Sequence, residues 1–208
     1  MVNRYIAVLS SVLLAVSSVA AQGGRLTQGP RKHDGHWWLL LTSEEQAGYI
    51  NGDSDCYVWE LHRKFNNSQS AEDVNELVTD FYRDAPAKRS LPVFDAIRAV
   101  DLLPPLRKPA PGGEVWKDRH WYFDGQWWRQ GTPADRLGFV EGYLACYRAG
   151  VKNARSNFLE PASQYVALIN QWYGLNEETG DVIPSRVHAK IAHVLFKFRR
   201  VAKPSREP

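Results

Sequence analysis

Histidine and carboxylate residues near both ends of the chain are of the types that bind metals. His33, Asp34 and His36 lie close together in the sequence, and His188 and His193 offer two more nitrogens. Imidazole and carboxylate groups are common ligands of zinc. His188 and His193, however, are five residues apart, a spacing that places two side chains on different sides of a helix. We therefore predict surface or hydrogen-bonded imidazoles, and no bound metal or other cofactor.

Acidic residues between positions 51 and 60 resemble the start of a calcium-binding loop. Asn51, Asp53 and Asp55 alternate along the chain, and Glu60 follows. Cys56 falls where such a loop needs a ligand, and the glycine of the loop is missing. We predict a solvated helix face here instead.

Three glutamates are the remaining candidates for acid chemistry: Glu44, Glu45 and Glu141. Helix-start and surface roles account for them, because negative charge near a helix N-terminus is stabilising. No nucleophile and base stand at a recognisable spacing, so a hydrolase is the weakest of the functions considered. We predict no catalytic residue and no enzymatic activity.

Two pairs of adjacent tryptophans are the best binding candidates. The chain has eight tryptophans, among them Trp37-Trp38 and Trp127-Trp128. Adjacent residues of a strand point to opposite faces, so only one ring of each pair would enter the same core. The second ring either packs under a neighbouring loop or stays exposed as a platform for sugar or protein. Burial is the favoured alternative.

The chain contains the same series of residues twice, with a constant offset of ninety positions. The first series is Trp37-Trp38, Thr42, Gly48, Gly52 and Cys56-Tyr57, and the second is Trp127-Trp128, Thr132, Gly138, Gly142 and Cys146-Tyr147. An ordered series of this length at a fixed offset indicates a tandem duplication.

Capping patterns mark the helices that position these residues. Thr42 with Glu45, and Thr132 with Asp135, each form a capping box. We predict a first helix at about residues 43–64 in one repeat and 133–153 in the other. A second helix follows a capping serine, and a third follows Leu91-Pro92 in the first repeat and Ile183-Pro184 in the second.

The dipeptide Asp124-Gly125 lies between two aromatic runs, at residues 120–123 and 126–128. Asp-Gly tolerates the positive backbone angles of a tight turn. We predict a short aromatic β-hairpin before helix one, at least in the second repeat. The expected fold is therefore mainly α, with two tandem three-helix repeats in a pseudo-twofold arrangement.

Small residues line one face of the first helix in each repeat. They are spaced four apart: Gly48, Gly52 and Cys56 in the first repeat, and Gly138, Gly142 and Cys146 in the second. This spacing lets two helices approach closely, and the equivalent helix is the expected partner. Related by a twofold axis, the two cysteines would face each other as a disulfide, and two buried thiols are the alternative.

The N-terminal segment has the composition of a secretory signal peptide. Arg4 precedes an uncharged apolar run at residues 6–19, which is too short to span a bilayer. We predict a signal peptide over residues 1–21, a first repeat over 22–103, a Pro/Gly linker over 104–113, and a second repeat with a basic tail over 114–208. The expected location is periplasmic or secreted. The formal net charge of +3 gives no reason to expect nucleic-acid binding.

Several short motifs of the first repeat resemble one known family. They are Gly48-Tyr49-Ile50-x-Gly52, Leu77-x-x-x-Phe81-Tyr82-x-x-x-Pro86, Leu91-Pro92 and Ala96-Ile97. Over about residues 43–103, and again over 133–198, the chain resembles the type VI secretion amidase immunity proteins, which are small, exported and all-helical. That family carries cysteines flanking this helix and at the chain end, whereas each repeat here has one cysteine inside it.

Export, duplication and the lack of catalytic residues predict a non-enzymatic binding protein of the cell envelope. The resemblance adds a protein partner, namely a cell-wall amidase or another toxin that the protein would inhibit. The alternative is a carbohydrate- or peptidoglycan-binding module that uses the paired tryptophans. We expect no membrane span, and a homodimer is compatible with either function.

Overall fold

The structure is a computed structural model that describes residues 33–63, 70–103, 123–152, 154 and 157–199, all within one compact unit. The described part is mainly helical and contains no β-strand, as expected for the fold class. Its α-helices are α1 (Gly35–Trp38), α2 (Ser43–Trp59), α3 (Ala71–Asp84), α4 (Val93–Val100), α5 (Gly125–Gln130), α6 (Pro133–Gly150), α7 (Ala162–Tyr173) and α8 (Ile191–Lys197). The predicted signal peptide and linker lie outside the described residues.

The capping boxes begin α2 and α6 as predicted. The Thr42 hydroxyl accepts a hydrogen bond from the backbone N–H of Glu45, and the Glu45 carboxylate accepts one from the N–H of Thr42. Thr132 and Asp135 do the same at the start of α6. Each box satisfies backbone donors that have no partner inside the helix. Both helices end a few residues earlier than the sequence suggested.

The predicted β-hairpin is wrong. Asp124 is the N-cap of α5, and its carboxylate accepts hydrogen bonds from the backbone N–H groups of Gln126 and Trp127. Trp127 and Trp128 therefore lie on a helix. Aspartate suits a helix N-cap as well as a turn, and the sequence does not distinguish these uses. Asp34 caps α1 in the same way.

The last helix, α8, begins later than predicted. Pro184–Arg186 form a single 3-10 turn, and α8 starts only at Ile191. The N–H of Ile191 donates to the carbonyl of Phe123, as the N–H of Val93 donates to His33. Lys190 is therefore the counterpart of Pro92. Pro184 does not mark the start of this helix, because the connection that precedes α8 is longer than the one that precedes α4.

The closest helix contact joins α2 to α6. A Cβ added to Gly48 would overlap the carbonyl of Asp135, and one added to Gly138 would overlap the carbonyl of Glu45. Gly52 meets Phe139 and Gly142 meets Tyr49 in the same reciprocal manner. No side chain larger than hydrogen fits between the two backbones, so the glycine faces pack against each other as the spacing predicted.

Each half has its own apolar core at corresponding positions. The first contains Trp38, Tyr49, Val78, Tyr82 and Ile97, and the second contains Trp128, Phe139, Ile169, Tyr173 and Leu195. The Tyr82 hydroxyl donates to the carbonyl of Leu91 at 3.0 Å, and the Tyr173 hydroxyl donates to that of Ala189 at 2.6 Å. These bonds tie α3 and α7 to the segments that enter α4 and α8.

Candidate functional site

An open cleft of about 460 Å³ lies beside the N-terminal ends of α2 and α6 and along α3. Five carboxylates line it: Glu44, Glu72, Glu76, Asp80 and Asp135. One guanidinium, that of Arg83, also lines the cleft and forms an ion pair with Asp80 at 2.9 Å. The cleft is therefore acidic. Sequence reasoning missed it, because the cleft depends on how α2, α3 and the distant α6 pack together.

Gln46 lies in this cleft although its side chain is almost completely buried, with 9% exposed. Its Nε2 donates to the carbonyl of Trp38 at 2.9 Å, which holds α2 against α1. Its Oε1 receives no hydrogen bond from the described residues. Thr79, on the α3 side, accepts from the Trp38 indole N–H at 3.1 Å. Trp38 thus anchors the two helices that border the cleft.

The Glu44 carboxylate, at the N-terminus of α2, is held in its charged form. Hydrogen bonds from backbone N–H and from the hydroxyls of Thr42 and Ser43 lower its pKa. These hydrogen bonds favour the charged form of the carboxylate at this end of the cleft.

Trp38 and Trp128, one ring of each tryptophan pair, are completely buried. Trp37 and Trp127 are half-buried. The ring of Trp37 stacks on His33 with centroids 4.3 Å apart, and the ring of Trp127 meets Phe139 at 5.1 Å. Both rings therefore remain partly accessible, and binding by these tryptophans stays a prediction.

Cys56 and Cys146 form a disulfide, with Cα atoms 6.1 Å apart. Both residues are completely buried where α2 meets α6. The sequence left open whether these cysteines form a disulfide or remain two buried thiols, and the structure has the disulfide. Together with Gly48, Gly52, Gly138 and Gly142, the cysteines form one continuous contact between the two helices, which is a structural role.

The predicted solvated face of α2 is wrong at Asp53 and Asp55, because both carboxylates are buried. Asp53 forms an ion pair with Arg98 of α4, and burial outweighs this partner and raises the pKa of Asp53 to about 6. Burial also raises the pKa of Asp55 to about 7, against the attraction of Lys190. Helix α2 packs against α3 and α6, so little of its surface reaches solvent.

The pair formed by Asp53 and Arg98 has an apolar counterpart in the second half. There the corresponding residues are Tyr143 and Phe196, whose rings meet edge to face at 6.4 Å. The guanidinium of Arg98 also lies over the ring of Tyr57, 3.6 Å from its centroid. Because a packed aromatic pair occupies the corresponding position in the second half, we assign a structural role to the buried ion pair of the first half.

The histidine groups do not come together as metal sites. Asp34 caps α1, and His36 is exposed. His188 is exposed, with its Nδ1 3.6 Å from the Asp124 carboxylate. Within the described ranges, no three His, Cys, Asp or Glu side chains are placed to hold a metal ion. Glu45 belongs to the capping box of α2.

No helix of the described residues has the length and apolar character needed to cross a membrane. Comparisons with known protein families, with curated proteins and with solved structures find no match for the chain. The acidic cleft is therefore the candidate site on its geometry alone.

Proposed function

We propose that the protein is an exported, non-enzymatic binding protein of the cell envelope that inhibits a cell-wall amidase or another toxin. In this proposal the two halves are tandem repeats related by an approximate twofold axis. A signal peptide over residues 1–21 directs export of the protein. The reciprocal glycine contacts of α2 and α6 support the repeat. The buried disulfide supports an oxidising compartment such as the periplasm.

The observation that carries the proposal is the acidic cleft. It is open to solvent, and it lies on a scaffold held by a disulfide and by direct backbone contact. A rigid concave surface loses little conformational freedom on binding, which favours tight association with a protein partner. Gln46, which lines the cleft, is held in place by donating to the carbonyl of Trp38.

Inhibition of wall hydrolysis tests the proposed function. The protein, purified from the periplasm with its disulfide intact, is mixed with each exported amidase of the same cell. Release of soluble fragments from purified peptidoglycan is then followed. We expect one amidase to lose most of its activity near a one-to-one ratio. Undiminished hydrolysis by every exported amidase at excess protein would contradict the proposal.

A further inference from the structure

The counterpart of the acidic cleft in the second half is filled by the chain itself. Arg136 corresponds to Gln46, and Asn170 corresponds to Thr79. Glu177, from the connection between α7 and α8, accepts hydrogen bonds from Arg136 Nη1 at 3.1 Å and from Asn170 Nδ2 at 2.9 Å. A segment with a charged side chain thus lies against the residues that correspond to the floor of the cleft.

Among the described residues, the first half has no such segment. Its connection between α3 and α4 runs from Ala85 to Pro92 and is much shorter than the connection between α7 and α8. Gln46 is also shorter than Arg136, and its Oε1 remains without a hydrogen-bond donor among the described residues. Within the part of the chain that the structure describes, this place is therefore contacted by the chain's own segment in one half and left open in the other.

The cleft of the first half and the corresponding place in the second half carry charges of opposite sign. In the second half a guanidinium faces the incoming Glu177. The lining of the cleft carries four carboxylates of the first half, a fifth from Asp135 of α6, and one arginine. A segment that fills the first place must therefore be basic, and an N–H donor on it could reach the Oε1 of Gln46, which lines the cleft.

We propose that the cleft between α2 and α3 binds an arginine- or lysine-bearing segment of a protein partner, in the place that the chain's own Glu177 segment fills in the second half. The cation lies among the carboxylates of Glu72 and Glu76 and donates to Gln46. This inference rests on the proposed function, since it names the chemistry by which the partner is recognised.

A labelled peptide tests the cleft without knowledge of the partner. The probe is a fluorescein-labelled nine-residue peptide that alternates arginine and serine, and its control has citrulline in place of arginine. Citrulline keeps the shape of arginine and about three of its five N–H donors, but a carbonyl replaces one nitrogen and the charge is lost. Fluorescence anisotropy gives the Kd of each peptide at low ionic strength. We expect the arginine peptide to bind about tenfold or more tightly than the citrulline peptide.

Two double variants with equal charge change locate the binding. Glu72→Gln with Glu76→Gln alters the cleft, and Asp95→Asn with Glu178→Gln alters exposed carboxylates elsewhere. The first variant should weaken peptide binding about tenfold and the second less than about twofold. Equal weakening in both variants would overturn the proposal, because it would show a general charge effect. So would binding that persists unchanged in the cleft variant.

The same cleft variant separates this inference from the proposed function. If it inhibits an amidase as well as the unchanged protein does, the protein is an inhibitor but the cleft does not hold its partner. If the peptide binds in the cleft while no exported amidase is inhibited, the cleft is a basic-segment site and the proposed function is wrong. Circular dichroism confirms that both variants are folded.

Discussion

At the scale of single residues, Tyr49 has a matched comparison within the chain. Its hydroxyl is completely buried and has no hydrogen-bond partner, and its counterpart in the second half is Phe139. Burial of this hydroxyl raises its pKa, with Asp53 adding to the effect. A buried polar group without a partner costs about 1 to 3 kcal/mol.

Tyr49→Phe is therefore expected to leave stability unchanged or to raise it by about 1 kcal/mol. Tyr143→Phe is the matched control, because the Tyr143 hydroxyl donates to Glu60 at 2.8 Å. That change should lower the free energy of unfolding by about 1 kcal/mol. Urea unfolding measures both variants. A clear loss of stability in Tyr49→Phe would show that the hydroxyl has a partner in solution.

Asp55 should make the protein more stable at mildly acidic pH than above neutrality. The pKa of its carboxyl is about 7 in the folded protein, against an ordinary value of 3.8. Between these values the folded state holds a proton that the unfolded chain has lost. The free energy of unfolding therefore rises as the pH falls through about 7 and levels off below about 4. Asp53, with a pKa of about 6, acts in the same direction.

Asp55→Asn tests the origin of this pH dependence. The variant should be more stable than the unchanged protein at pH 8, and its stability should differ less between pH 8 and pH 5. Asp95→Asn, at an exposed position, is the control and should keep the original profile. An unaltered slope in Asp55→Asn would assign the effect to other groups.

At the scale of elements, the packing of α2 on α6 depends on two glycines in each helix, because any larger side chain at these positions would meet the backbone of the other helix. Gly52→Ala or Gly142→Ala should destabilise the protein by about 2 kcal/mol or more, because the new methyl group would meet backbone atoms. Gly131→Ala is the control, since a Cβ there would lie 3.4 Å from its nearest neighbour. Thermal unfolding of Gly52→Ala at the unchanged temperature would refute the close contact.

The short helices α1 and α5 depend on their aspartate caps. Asp34→Ala and Asp124→Ala each remove a carboxylate that accepts two backbone hydrogen bonds. Each change should cost about 1 kcal/mol, the usual effect of losing an N-cap. Asp→Asn at the same positions should cost less, because the amide oxygen still accepts. Equal losses for alanine and asparagine would indicate that the charge, and not the cap, matters.

The elements that sequence reasoning found are those with local signals. Thr42 and Thr132 mark helix starts within a few residues, and the spacing of the glycines identifies the face that packs. Asp124 was misassigned because a cap and a tight turn use the same dipeptide. Asp53 and Asp55 were misassigned because their burial depends on helices distant in sequence. The cleft could not be predicted because its shape depends on how α2, α3 and α6 pack, for which the sequence has no local signal.

At the scale of the whole molecule, the disulfide joins the two halves at their contact. Closing a loop with a sequence separation of 90 stabilises a protein by about 4 to 5 kcal/mol in the chain-entropy model. Cys56→Ala with Cys146→Ala should therefore unfold at a clearly lower urea concentration. Reductant without denaturant should act slowly on the unchanged protein, because both cysteines are completely buried. Two free thiols titrated in the denatured, exported protein would contradict the disulfide.

The reciprocal contact of α2 and α6 does not depend on whether the two helices belong to one chain. An α2 from one molecule can meet an α6 from another through the same glycines. Refolding at high concentration should therefore yield exchanged dimers in which disulfides join separate chains. Such dimers would migrate at twice the mass on a non-reducing gel, and dilution before oxidation would suppress them. The surface that holds the two halves of one molecule together is therefore also the surface through which two molecules can form an exchanged dimer.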